Sequence, residues 1–230
     1  MMSKFRTFAV NFQGMKKSLL SLSFGTFALG VAEFGMMGIL NEIAADIDIS
    51  VVQAGNLISA YAAGVAVGAP GLIFLRRMEL RRLMLLLAAV IAIGNAMVAF
   101  SPSYVFLLIA RFISGLPHGA YFGAGAIACT RLADSGKGAS AVAVLIGGMT
   151  VANLVGVPGF TYACHALSWR LPFGIVAIAG IITFFSVRIW MPRIEALPDS
   201  GLKGQFRFLS RPAPWLIYSG IFFGQMSVYM

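Results

Sequence analysis

Charge is scarce in this chain. Only 11% of its 230 residues are Asp, Glu, Lys or Arg, against 59% that are hydrophobic. A soluble domain of this length would need far more charge to cover its surface, so the composition excludes one. Cysteine is scarce too. Cys129 and Cys164 lie in or beside apolar segments at no metal-ligand or redox spacing. Both are expected to be free thiols packed as small apolar residues. The two histidines, His118 and His165, fall on different segments, and no nucleophile–base set, metal cluster or phosphate-binding loop accompanies them. An enzyme, a metal and a cofactor therefore have no support. The formal net charge of +9 would by itself suggest nucleic acid, but its placement argues otherwise.

What the chain has is long apolar runs, each close to the ~20 residues a helix needs to cross ~30 Å of hydrocarbon. Residues 1–17 are short, mixed and basic, and Met15-Lys16-Lys17 itself resembles a translation start. The apolar run that follows is too long for a signal-peptide core, so residues 18–40 read as a first span. Residues 51–75, 83–100, 104–131, 139–163 and 171–190 give five more, so a six-helix bundle occupies 18–190. Ser50 suits the N-cap of the second span. A polar, basic loop covers 191–213, and residues 214–230 form a partial seventh helix at the short limit for spanning. The fold class is all-α and polytopic.

Lysine and arginine sort to one side. Arg111 is inside a span and Arg170 lies in the turn between spans five and six. The other 15 lie at the N-terminus or in and beside the loops after spans two, four and six. By the positive-inside rule that side is cytoplasmic, as is the N-terminus. The basic excess is a topology signal with attraction to lipid as a consequence, and nucleic acid is not expected as a partner.

An arginine at membrane depth costs a few kcal/mol or more and normally faces a protein interior or a wet cavity, with a partner. His118 lies seven residues after Arg111 and therefore on the same helix face. Gly115, Gly119 and Gly123 repeat every fourth residue, the small-residue spacing that admits a neighbouring helix. Glu33 is seven residues before the outer end of span one, and Arg111 is a similar distance inside span four. At 1.5 Å per residue both sit roughly 10–12 Å below the outer surface. Glu33 and Arg111 thus form the candidate charge pair, either as a proton-coupling site or as a permanent structural ion pair. His118, Tyr61 and Asn153 are the candidate substrate-cavity residues. Asn153 precedes Gly156 and Pro158, where a missing helix hydrogen bond permits a bend.

These residues resemble the major facilitator superfamily, in particular its drug:proton antiporters and the bacterial arabinose- and sugar-efflux permeases. The resemblance rests on Gly30-Val31-Ala32-Glu33-Phe34-Gly35, on the run from Ile58 to Pro70, on Arg111 to Gly115 with His118-Gly119, and on Gly147, Gly156 and Pro158-Gly159. It covers Met15 to Met230. It implies the N-terminal half of a twelve-span carrier built from 3+3 inverted repeats, with substrate sites at repeat or bundle interfaces. It also implies proton-coupled efflux of a sugar or small amphipathic compound from the bacterial cytoplasmic (inner) membrane. The partners would be that substrate, protons, the bilayer, and a second half or another copy of the chain. A multidrug exporter, or a non-transporting fragment or assembly partner, are the alternatives, since one half plus part of a seventh span is what the chain holds. The gating loop after span two departs from the family pattern. Its basic pair is present as Arg81 and Arg82, but Arg77 and Leu80 stand at the acidic and glycine positions.

Overall fold

Ser50-Val51-Val52-Gln53 builds the helix start that its sequence promises. Ser50 Oγ accepts from the amide of Gln53 at 3.1 Å, and Gln53 Oε1 accepts from the amide of Ser50 at 2.9 Å, a reciprocal capping box. Ser103 does the same for the fourth span, accepting from the Phe106 amide at 3.4 Å. The computed structural model describes residues 2–75, 77–196 and 210–229, and their side chains apart from 2–15 and 225–229.

In chain order the helices are α1 (Met2–Phe34), α2 (Leu40–Asp46), α3 (Val51–Leu75), α4 (Leu80–Ala99), α5 (Tyr104–Gly115), α6 (Pro117–Leu132), α7 (Gly138–Val151), α8 (Val157–Ala166), α9 (Arg170–Trp190) and α10 (Pro212–Tyr229). Six stretches are long and apolar enough to cross a membrane: Lys16–Gly38, Val51–Leu75, Leu80–Ala99, Tyr104–Leu132, Gly138–Ala166 and Arg170–Trp190. They match the six spans read from the sequence to within a few residues. The chain is a multi-pass, all-α membrane protein.

Four local features differ from the sequence reading. Helix α1 begins at Met2 rather than near Ser18, because extending an existing helix is cheap and no proline interrupts residues 2–17. The acidic stretch after span one is a short helix, α2, reached through a 3₁₀ turn at Gly35–Gly38. Span four is two helices meeting at Leu116, since Pro117 cannot donate the next helix hydrogen bond and takes the first-turn position of α6 instead. Span five widens into a π turn at Ala152–Gly156 just before Pro158, which lacks the same donor.

The most extensive helix contacts are α4 with α9, α1 with α7, α3 with α5, and α1 with α9. In span terms these join three to six, one to five, two to four, and one to six; α4 also packs on α5 and α6, joining three to four. Exchanging spans one, two and three with four, five and six maps this pattern onto itself, as two inverted three-helix repeats require. Lipid tails are as apolar as leucine, so close packing rather than water exclusion must hold the spans together. Glycines provide it on both equivalent interfaces. A Cβ on Gly64 or Gly68 would lie 2.1 or 1.8 Å from the carbonyl oxygens of Phe112 and Leu116, and one on Gly148 would lie 2.2 Å from that of Ser23. Ser23 and Thr26 then donate to the Val144 and Leu145 carbonyls at 2.5 and 2.6 Å.

Burial is uneven. In span one 72% of the apolar window is buried, but in spans two and five only 17% and 22%, which leaves those two helices with open faces. Residues after Ala196 belong to a separate unit, of which α10 is an apolar helix of 18 residues. Residues 191–196 stay with the bundle: Ile194 accepts from the Leu80 amide at 3.0 Å, and Glu195 O from Arg131 at 2.7 Å. Of the rest of the expected loop, residues 197–209 lie outside the described residues, and α10 begins at Pro212, two residues before the start expected for it.

Candidate polar site between spans one, two and four

Four helices, belonging to three spans, bring four of the singled-out side chains together. Glu33 comes from the last turn of α1, Tyr61 from the middle of α3, Arg111 from α5 and His118 from the first turn of α6. The spacing between spans two and four is set by the glycine interlock. Gly115 has no side chain because a Cβ there would lie 2.2 Å from the Tyr61 carbonyl oxygen, and one on Gly119 would lie 2.8 Å from the Ala69 Cβ. Gly123, in the same repeat, is not held this tightly, with Leu72 at 3.6 Å from the ideal Cβ.

His118 is the hub. Its Nδ1 lies 2.8 Å from the Tyr61 hydroxyl, and its Nε2 lies 3.6 Å from Glu33 Oε2. With the Tyr61 O–H donating to Nδ1, the neutral ring carries its proton on Nε2, facing the carboxylate. Phe122 stacks on the imidazole at 5.4 Å between centroids and fixes the ring plane. Arg111 sits one step further in. Its Nε and Nη1 donate to the carbonyls of Leu57 and Ala32 at 3.4 and 3.0 Å, and the guanidinium lies 4.4 Å from the Tyr61 ring centre. Span four thereby ties span one to span two through one cation.

Among the described residues no ion pair joins Glu33 to Arg111. The common depth expected from helix rise is compatible with this, but the arginine uses its donors on backbone carbonyls and the histidine takes the carboxylate. Exposure separates the roles: Arg111 is 1% accessible, whereas the Glu33 and His118 side chains are 27% and 12% accessible. The cation is sealed and the carboxylate can be reached.

Asn153 is exposed on the π turn and makes no hydrogen bond to the Tyr61–His118 pair among the described residues. Gly156 packs span five on span one, where a Cβ would meet Val31 at 2.4 Å, and Pro158 opens α8. Arg81 and Arg82 lie in the first turn of α4 rather than in a loop; Arg82 pairs with Glu79 at 3.2 Å and Arg81 donates to the Arg188 carbonyl. The described residues contain no cluster of His, Cys, Asp or Glu able to hold a metal. Both cysteines are free and buried, as the sequence suggested.

A second polar cluster, at the opposite end of the bundle from Arg81 and Arg82, was not singled out from the sequence. Asp46 pairs with Arg170 and accepts from Trp169 Nε1 at 2.9 Å. Arg170 also reaches the Ser101 carbonyl at 3.5 Å, and His165 meets Glu42 at 2.7 Å. The hydrogen bond from Arg170, and then that from Trp169, hold the Asp46 carboxyl below its ordinary value. The signal was present: Arg170 is the one basic residue in a connecting turn that breaks the sorting of charge, and three acids stand in the turn that shares its side.

The family model of the Major Facilitator Superfamily matches residues 22–230. The chain is 48% identical to the "Putative transporter AraJ" of Escherichia coli strain K12 over 94% of its own length and 55% of that protein's. It is 39% identical to the inner membrane transport protein YdhP of the same organism, over 84% and 50% of the two chains. A chloramphenicol resistance protein of Streptomyces lividans is 33% identical over 75% of this chain and 44% of its own. The chain thus spans about half the length of the curated relatives it matches. Among solved structures, the peptide transporter POT in complex with sulfate superposes with a TM-score of 0.67 at 15% identity, over 90% of this chain and 46% of that one. That likeness is one of fold.

Proposed function

The chain belongs to the major facilitator superfamily, and on that premise we propose that it supplies the first six-helix half of a proton-coupled efflux carrier for a sugar or small amphipathic compound. The observation that carries the reading is the order Glu33, His118, Tyr61, Arg111, running from an accessible carboxylate to a sealed cation. A proton arriving at Glu33 neutralises the group that faces Nε2 of His118. A proton on Nδ1 of His118 turns the Tyr61 oxygen from donor to acceptor. Either event changes the field at Arg111, whose two carbonyl bonds clamp spans one and two to span four. A ligand or proton that binds two arrangements unequally shifts the balance between them, which is what coupling by alternating access needs.

The open faces of spans two and five are where a second six-helix half would pack, and the exposed Asn153 would then line the space between halves. Sorting of the basic residues supports a cytoplasmic N-terminus in a bacterial inner membrane. The chloramphenicol resistance protein among the relatives favours a second reading, export of drugs rather than sugars.

The test is flux of labelled arabinose and of a cationic dye in proteoliposomes with an imposed proton gradient, alongside carboxyl infrared spectra of the same protein. In any complete assembly Glu33→Gln should abolish gradient-driven flux, and it should remove one titrating carboxyl band while the helices insert normally. Flux with the same pH dependence in the variant, or an unchanged set of carboxyl bands, would remove Glu33 from the mechanism. Dye flux without sugar flux would favour the second reading.

A further inference from the structure

Spans three and six meet along their whole length, and the groove between them changes character from one end to the other. At the basic end a cavity of about 240 Å³ is lined by Arg81, Arg82, Leu85, Arg188 and Arg193, with Glu79 the one carboxylate. Glu79 is engaged by Arg82 at 3.2 Å. Arg81 Nε is buried with no hydrogen-bond partner, and among the described residues Arg188 and Arg193 have no ion pair. The cavity therefore holds more guanidinium charge than its own side chains neutralise.

The same two helix faces continue beyond it. On α4, Arg81, Arg82 and Leu85 are followed at helical spacing by Ala89, Ala92 and Ile93. Opposite them on α9, which runs antiparallel, Arg188 is followed by Phe185, Phe184 and Ile181. These apolar residues line a groove of about 360 Å³. Ile93, Ile181 and Phe185 are 58%, 47% and 56% exposed, so it is open at the side. From Arg82 to Ile93 the helix rises roughly 16 Å, close to half of a ~30 Å hydrocarbon core. Further along, Ala96 and Phe100 face Gly174 and Ile178 across a wider apolar space.

We propose that this groove is a site for a single anionic phospholipid, its phosphate held by Arg81, Arg82, Arg188 and Arg193 and an acyl chain laid between spans three and six. Charge complementarity selects the headgroup. Guanidinium pairs bind phosphate in forked geometry, and an excess of cation over carboxylate prefers a net-negative lipid to a zwitterionic one. The arginines stand at helix ends, where headgroups lie, and the apolar groove begins one turn inward. A free phosphate would use the first feature and ignore the second.

The purified chain would be titrated in detergent with phosphatidylglycerol, phosphatidylcholine and inorganic phosphate, reading bound lipid by native mass spectrometry and stabilisation by melting. Phosphatidylglycerol should bind one per chain and raise the melting temperature; phosphatidylcholine should do neither. Replacing two exposed arginines, Arg188→Gln with Arg193→Gln, should weaken phosphatidylglycerol about thirtyfold, since each basic side chain near an anionic surface contributes about fivefold. Ala89→Phe, which fills the apolar groove, should weaken the lipid and leave any response to inorganic phosphate unchanged. Arg193→Gln alone, outside every helix, repeats the test should the double variant misfold. Equal binding of the two lipids, retention of phosphatidylglycerol by the variants, or full stabilisation by inorganic phosphate alone would each overturn the proposal.

Discussion

Replacing Arg111 by methionine separates a structural anchor from a residue kept for its charge. Taking a guanidinium out of water costs several kcal/mol. Against this stand two bonds from a charged donor to carbonyls, about 1.5–3 kcal/mol each, and the face of Tyr61, about 1–2 kcal/mol when desolvated. The terms nearly cancel. Methionine has similar length, no donor, and a flexible thioether that fills irregular space among Tyr61, Phe173 and the backbone. Arg111→Met should therefore change folding stability by less than about 2 kcal/mol, in either direction. Arg111→Ala, which also leaves a cavity, should cost about 3–5 kcal/mol. Melting followed with a thiol-reactive dye suits this protein, because Cys129 and Cys164 are free and buried and become reactive only on unfolding. Gradient-driven flux should vanish in the methionine variant and persist in part in Arg111→Lys, which keeps the charge but cannot reach both Ala32 and Leu57. A methionine variant that fails to fold while the lysine variant is stable would refute the reasoning and make Arg111 an anchor.

The glycine interlock predicts unequal effects of one small change. Gly115→Ala pushes its methyl into the Tyr61 carbonyl and should lower stability by about 1–3 kcal/mol while lengthening the Tyr61–His118 bond, visible as a changed histidine resonance. Gly147→Ala, with nothing within 4 Å of the new methyl, should be neutral or slightly stabilising. Asp46 predicts a pH effect of known sign. Its carboxyl is depressed below the ordinary value of 3.8, so the tie to Arg170 is fully present above that value and is lost as pH falls through the depressed one. Protection factors in the 165–170 turn, which correct exchange for its intrinsic pH dependence, should fall at low pH in the wild type and be low and pH-independent in Asp46→Asn. The exposed pair makes the step small, at most about 1 kcal/mol.

Much of the fold was legible because membrane spans announce themselves by length and by lack of charge. The limits of Val51–Leu75 follow from a capping box and a basic turn, both written in adjacent residues. The interruptions at Leu116 and at Ala152–Gly156 were signalled by Pro117 and Pro158, but a missing donor does not say whether a helix will kink, restart or widen. That choice is made by the neighbouring helix. Span two presses against Phe112 and Leu116 through Gly64 and Gly68, and span one presses against span five through Gly148 and Gly30.

The polar site shows the same division. Depth placed Glu33 and Arg111 at one level, and helical spacing placed His118 beneath Arg111, so the participants could be read from the chain. Their partners could not, because depth and spacing leave rotation about each helix axis free. Rotation is fixed by the interlock, and it turns Arg111 toward the carbonyls of spans one and two while turning His118 toward Glu33. The inverted repeat sharpens the point. The equivalent interface between spans one and five has the same glycine packing, yet around Phe27, Val31, Val155 and Phe160 it encloses an apolar cavity of about 210 Å³. One backbone arrangement thus holds a polar cluster on one side and an oily space on the other. The repeat supplies the distance between helices, and the side chains at Glu33, Tyr61, Arg111 and His118 decide which of the two interfaces can carry charge.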